Sequence, residues 1–82
     1  MQITEKIIEI VCSNIATMSP EFVDVDADLS QMGMDSIVFI KIVLTLEGVF
    51  EIEFPDEYLI VSVTNSINKM VQIVLNEIKK SQ

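Results

Sequence analysis

Apolar residues recur at Ile3, Ile7, Ile8, Val11 and Ile15, the alternating four-and-three spacing of one helix face. Glu5, Lys6, Glu9 and Ser13 fall mostly on the other side, so the pattern predicts an amphipathic first helix. Ser19-Pro20 is expected to end it, because the residue before a proline is pushed away from helical angles. The periodicity then lapses from about residue 20 to residue 34. Within that gap Asp24, Val25, Asp26, Ala27, Asp28 and Leu29 alternate acid with apolar residues. The stretch is short, isolated and rich in aspartate, which favours an extended loop over a strand, with Val25 and Leu29 anchoring it on the core. Gly33 relieves steric limits where the chain turns toward the next element.

A second helix is expected from Asp35-Ser36 to about Phe50, with the Asp35 carboxylate accepting hydrogen bonds from its first free amides. It is apolar around most of its circumference, which predicts a central place in a bundle. Lys41, Thr45 and Gly48 form its polar stripe, extended by Val38 toward the N-terminus. Gly48 inside a helix costs roughly 1 kcal/mol relative to alanine, so a close approach at that position would give it a purpose. Phe54-Pro55-Asp56 reads as a stop and a new start, with Pro55 or Asp56 opening a short helix through Leu59. Thr64 is expected to cap a last long helix carrying Ile67, Met70, Val71, Val74 and Ile78, and Lys79 and Lys80 suit the dipole at its end. The prediction is an all-α four-helix bundle: three long helices, one short helix and a long loop between helices 1 and 2, as a single domain over residues 1–82.

Composition narrows the function. The 82 residues carry a net charge of −8, from 13 acids against five bases, with no histidine. Such a balance repels phosphate backbones and anionic lipid, so nucleic acids and membrane surfaces are poor partners. Ile37–Leu46, the longest greasy stretch, is interrupted by Lys41 and Thr45 and is about half the length needed to cross a bilayer. Cys12 is the lone cysteine, so neither an intrachain disulfide nor a cysteine-based zinc site can form, and a cytoplasmic protein is expected. Without histidine the chain cannot assemble a Ser-His-Asp or Cys-His arrangement, and no metal site is expected.

Gly33-Met34-Asp35-Ser36-Ile37 resembles the G-x-D-S-[LIM] attachment motif of acyl and peptidyl carrier proteins. The likeness extends along nearly the whole chain. Asp28-Leu29 is similar to the family's loop anchor, and Leu46-Glu47 with the stretch from Phe50 to Glu57 is similar to its "LE…F…PDE" segment. The serine also falls where the family places it, after a long loop at the start of the second helix. The resemblance implies that Ser36 carries a covalent 4′-phosphopantetheine arm, taken from coenzyme A by a phosphopantetheinyl transferase with magnesium. It implies a non-catalytic carrier that holds acyl, aminoacyl or aryl cargo as a thioester and meets loading enzymes and synthase or condensation enzymes. A monomer is expected.

In resembling carriers, partners dock on the second helix and the loop before it, with acidic side chains meeting basic patches on the partner. Met34, Asp35, Ile37, Val38, Lys41, Glu47 and Glu51 are therefore the candidate recognition residues, with Asp35 both cap and contact. Fatty-acid carriers usually place acids two and five residues after the serine, where this chain has Val38 and Lys41. That departure favours polyketide or nonribosomal peptide biosynthesis over fatty-acid synthesis.

Plainer readings stand beside these. Ser36 and Asp35 could be ordinary cap residues. Asp24-x-Asp26-x-Asp28 imitates the opening of a calcium loop, but the glycine and glutamate that such a loop requires are replaced by Leu29 and Asp35. Cys12 reads as a small core or boundary residue without a neighbouring base, and Phe39, Phe50, Phe54 and Tyr58 read as core, with a cargo-enclosing cavity as the livelier option. Outside the carrier class, an acidic helical interaction module that needs no modification is the main competitor.

Overall fold

The computed structural model describes residues 3–80. Three α-helices form: α1 (Ile3–Asn14), α2 (Ser36–Phe50) and α3 (Ile67–Lys80). Single 3₁₀ turns at Pro20–Phe22, Leu29–Met32 and Asp56–Tyr58 punctuate the connections. The result is an all-helical bundle in which α1 packs broadly against both α2 and α3, while α2 and α3 meet more lightly. Ile7, Val11, Leu29, Phe39, Ile42, Leu46, Ile67, Met70 and Val74 share one buried core. Val25 and Ile78 pack at its margin.

α1 ends at Asn14, short of the expected Ser19-Pro20. Ser13 Oγ donates to the Glu9 carbonyl and Asn14 Nδ2 to the Ile10 carbonyl, each at 2.8 Å. Such back-bonding competes with the helix ladder, and the chain leaves the helix through a turn. Ile15 nonetheless stays buried, so the hydrophobic spacing outlasts the helix that it announced.

The fourth helix shrinks to one 3₁₀ turn at Asp56–Tyr58, which has no side-chain cap. The chain that follows, Ile60-Val61-Ser62-Val63-Thr64, is rich in β-branched residues that lose rotamer freedom in a helix. Thr64 does not cap α3. It is buried, and its hydroxyl donates to the Tyr58 carbonyl at 2.8 Å, closing the turn. The cap falls to Ser66, whose Oγ accepts from the Lys69 amide at 3.2 Å. Ile73 joins the buried face of α3, a core position the stripe of Ile67, Met70, Val71 and Val74 did not announce.

α2 is greasier than its burial requires. Phe39, Ile42, Val43 and Leu46 face the core, and Val38 is half-buried against it instead of extending the polar stripe. Ile37, Ile40, Leu44 and Val49 are exposed, so α1, not α2, occupies the middle of the bundle. Gly48 has open space around it and accommodates no close neighbour. Of the aromatic set, Phe39 and Phe54 are core, Phe50 lies at the margin and Tyr58 is exposed.

α2 closes on Glu51, which holds the left-handed conformation (φ 54°) while its amide and that of Ile52 return to the Glu47 carbonyl. A side chain in that region carries a steric cost that glycine avoids. Glu51→Gly is therefore expected to stabilise the fold by about 0.5–1 kcal/mol, after the extra freedom glycine gains in the unfolded chain. A urea midpoint equal to or below that of the parent would count against this account of the α2 terminus.

Candidate functional site

The site is assembled by the loop before α2. Leu29 is buried, and its amide donates to the Asn65 carbonyl at 2.7 Å, while the Asn68 amide donates to the Val25 carbonyl at 2.9 Å. Asn68 Nδ2 also reaches Asp26 Oδ1 at 3.1 Å. These contacts clamp the loop to the start of α3. Asp28 opens the 3₁₀ turn Leu29–Met32, its Oδ1 accepting from the Ser30 amide (3.0 Å) and hydroxyl (2.6 Å). Gly33 closes that turn with φ 106°, in the left-handed region, as the sharp change of direction requires. Thr17 Oγ1 donates to the Met32 carbonyl at 3.1 Å and ties the turn to the segment that follows α1.

Asp35 then caps α2. Its backbone is extended, and Oδ1 accepts from the Val38 amide at 2.8 Å. The Phe39 amide takes the Asp35 carbonyl, leaving the amides of Ser36 and Ile37 with no partner inside the helix. Ser36 is the first residue of α2 and is exposed. It borders an open groove of about 480 Å³, lined by Ser30, Ser36, Phe39, Ile40 and the segment 59–62. An exposed hydroxyl at a positive helix end, beside a largely apolar groove, fits a phosphodiester with a flexible arm attached.

The expected recognition residues divide. Ile37 and Lys41 are exposed on α2 beside Ser36, and Val38 is half-buried. Met34 is buried at 2% exposure, and its amide donates to the Leu29 carbonyl, so its side chain serves the core and presents nothing to a partner. Glu47 is half-buried, with Oε2 accepting from the Phe54 amide at 2.8 Å; this pins the segment after α2. Glu51 is exposed at the other end of α2 from Ser36. Sequence reasoning missed the far wall of the groove, Leu59, Ile60 and Val61, whose signal is a run of apolar residues without helical period just after a proline-aspartate turn.

The aspartates of the loop have local work. Asp24 Oδ1 accepts from the Asp26 amide at 2.9 Å, and Asp26 and Asp28 make the contacts given above. Among the described residues, no group of three or more histidine, cysteine or acidic side chains is placed to hold a metal ion. Cys12 is half-buried on α1, and burial pushes its thiol above the ordinary range, away from nucleophilic use. No helix among the described residues is long and apolar enough to cross a membrane.

The phosphopantetheine attachment site family matches residues 5–74, and the chain belongs to it. It is thus a carrier protein for covalently bound 4′-phosphopantetheine. No curated protein matches it, and neither does any solved structure.

Two outcomes follow from this geometry. Asp35→Ala removes the α2 cap and is expected to cost about 1 kcal/mol, read as a lower urea midpoint. Hydrogen bonds from the Ser30 hydroxyl and amide hold the Asp28 carboxyl below its ordinary range. The stabilisation is therefore present above the unfolded carboxylate pKa of about 4 and is lost as pH falls through the lower folded value. The difference in urea midpoint between the parent and Asp28→Asn should shrink on going from neutral pH to about pH 2. A constant difference would show that the Asp28 charge contributes nothing.

Proposed function

We propose that Ser36 is the attachment point and that the arm it bears carries acyl, aminoacyl or aryl intermediates between partner enzymes. The observation that carries this reading is the position of Ser36. It is exposed as the first residue of α2, in register with the attachment motif, and lines the open groove. The chain acts as one carrier domain, monomeric and cytoplasmic, and as a substrate of enzymes instead of a catalyst.

Ser36 Oγ attacks the phosphorus of coenzyme A that bears pantetheine. A new Oγ–P bond forms as the pyrophosphate bond breaks, and adenosine bisphosphate leaves. The serine proton passes to the transferase, which activates the serine with the help of magnesium. The α2 amides at Ser36 and Ile37 are the groups that would favour a phosphodiester anion on Ser36, and Asp35 keeps the first turn of α2 formed. When bound, the cofactor supplies the terminal thiol on which cargo is held, and the carrier supplies position and recognition.

A dedicated polyketide or nonribosomal peptide pathway is the setting, in preference to fatty-acid synthesis. Its support is the occupancy of the two positions where fatty-acid carriers usually place acids: Val38 is half-buried and Lys41 is an exposed cation. Intact-protein mass spectrometry tests the attachment, after incubation with coenzyme A, magnesium and a broad-specificity transferase. One phosphopantetheine is expected on the parent and none on Ser36→Ala. No gain by folded parent with several transferases would turn the assignment toward an unmodified interaction module.

A further inference from the structure

The outward face of α2 has the composition of a covered surface. Ile37 (68% exposed), Ile40 (44%) and Leu44 (61%) fall at the three-and-four spacing that puts side chains in one row along a helix. The row continues across the groove, because Ile40 and Ile60 line it together and Ile60 is itself 50% exposed. Contiguous apolar surface of this kind on a small protein marks a contact site.

One charge interrupts the row. Lys41 is the sole charged residue between Asp35 and Glu47, and the positions three and four away on either side are Ile37, Val38, Leu44 and Thr45. No carboxylate on its own helix lies within a turn. The ion pairs Lys6–Glu9 and Lys80–Glu77 are made on α1 and α3. A cation kept within an apolar row, on a chain of net charge −8, calls for a carboxylate from outside.

Resting on the carrier reading of Ser36, we infer that the Ile37–Lys41–Leu44 face receives a partner enzyme whose docking patch is apolar with a carboxylate opposite Lys41. A patch of lysines and arginines would meet no acid on this face and would be repelled by Lys41. A second copy of the chain is the weaker occupant, because it would bring Lys41 against another apolar row and close the approach to Ser36.

The test uses the full chain, loaded at Ser36 by a broad-specificity transferase and checked by mass. Failure to load at all would overturn the carrier reading and this inference with it, whereas binding results on loaded protein bear on the docking face alone. Loaded protein is titrated against two carrier-dependent enzymes of known structure, one with an apolar docking patch edged by carboxylates and one with a basic patch. Binding about tenfold tighter to the first is expected. Lys41→Glu should weaken that binding about fivefold or more and strengthen binding to the basic patch. Leu44→Asp should weaken the first as well, and Leu44→Gln, milder at an exposed site, guards against a fold defect in the aspartate variant. Between about 0.05 and 0.5 M salt, binding to the apolar patch should change by less than about threefold. Tighter binding to the basic patch, equal binding to both, or indifference to both Lys41→Glu and Leu44 substitution would overturn the inference. So would self-association of the loaded chain abolished by Leu44→Asp, which would assign the face to a second copy.

Discussion

The segment between α1 and α2 has little regular structure of its own, and ordering each residue costs about 1–2 kcal/mol of backbone entropy. Its hold on the bundle comes from outside. Leu29 enters the core, and two backbone hydrogen bonds join Leu29 to Asn65 and Val25 to Asn68 at the start of α3. Burying one leucine contributes about 1.5–3 kcal/mol and each hydrogen bond about 1 kcal/mol net. Everything at the site descends from this clamp. With Leu29 seated, the turn through Met32 places Gly33 where the chain must reverse, drives Met34 inward and delivers Asp35 in the extended conformation that a cap needs. Ser36 is exposed because its immediate predecessors are held.

The clamp also joins the two ends of the functional surface. The loop that positions Ser36 is held by Asn65 and Asn68, just beyond the segment 59–62 that forms the far wall of the groove. Thr64, bonded to the Tyr58 carbonyl, fixes how that wall turns into α3. The groove and the placement of Ser36 therefore depend on one small region of contact. The loop before Ser36 relies on these hydrogen bonds together with buried Leu29, while the helices are held by apolar packing of α1 against α2 and α3.

Much of this was legible in the sequence, for identifiable reasons. The three long helices, the Leu29 anchor, Gly33 and the Asp35 cap each rest on local rules: periodicity, apolar residues alternating with aspartates, positive φ and side-chain capping. What stayed hidden depends on tertiary partners. Hydrophobic spacing continues through Ile15 although the helix stops at Asn14, because a buried residue need not be a helical one. Thr64 and Glu47 have the composition of a cap and a surface acid, yet each is used by a backbone group six or seven residues away. Met34 sits in the attachment motif like a contact residue, but the reversal at Gly33 turns it inside. The greasiness of α2 suggested a central helix, whereas its excess apolar residues line the surface beside the site.

That excess is tolerable because of where the charge lies. An apolar face on a small protein invites self-association, and a net charge of −8 opposes it through long-range repulsion between copies. The same charge has little say in local contact. At about 1.5 Å per residue, Lys41 is about 9 Å along the helix axis from both Asp35 and Glu47, comparable to the screening length of about 8 Å at physiological salt. The acids keep molecules apart at a distance and steer slowly varying fields, while the row of Ile37, Lys41 and Leu44 offers an approaching surface apolar contact and a single cation. Moving an acid into that row would join the two roles and make docking as salt-dependent as steering. Keeping acids out of it leaves long-range repulsion and apolar contact to different residues of one small domain.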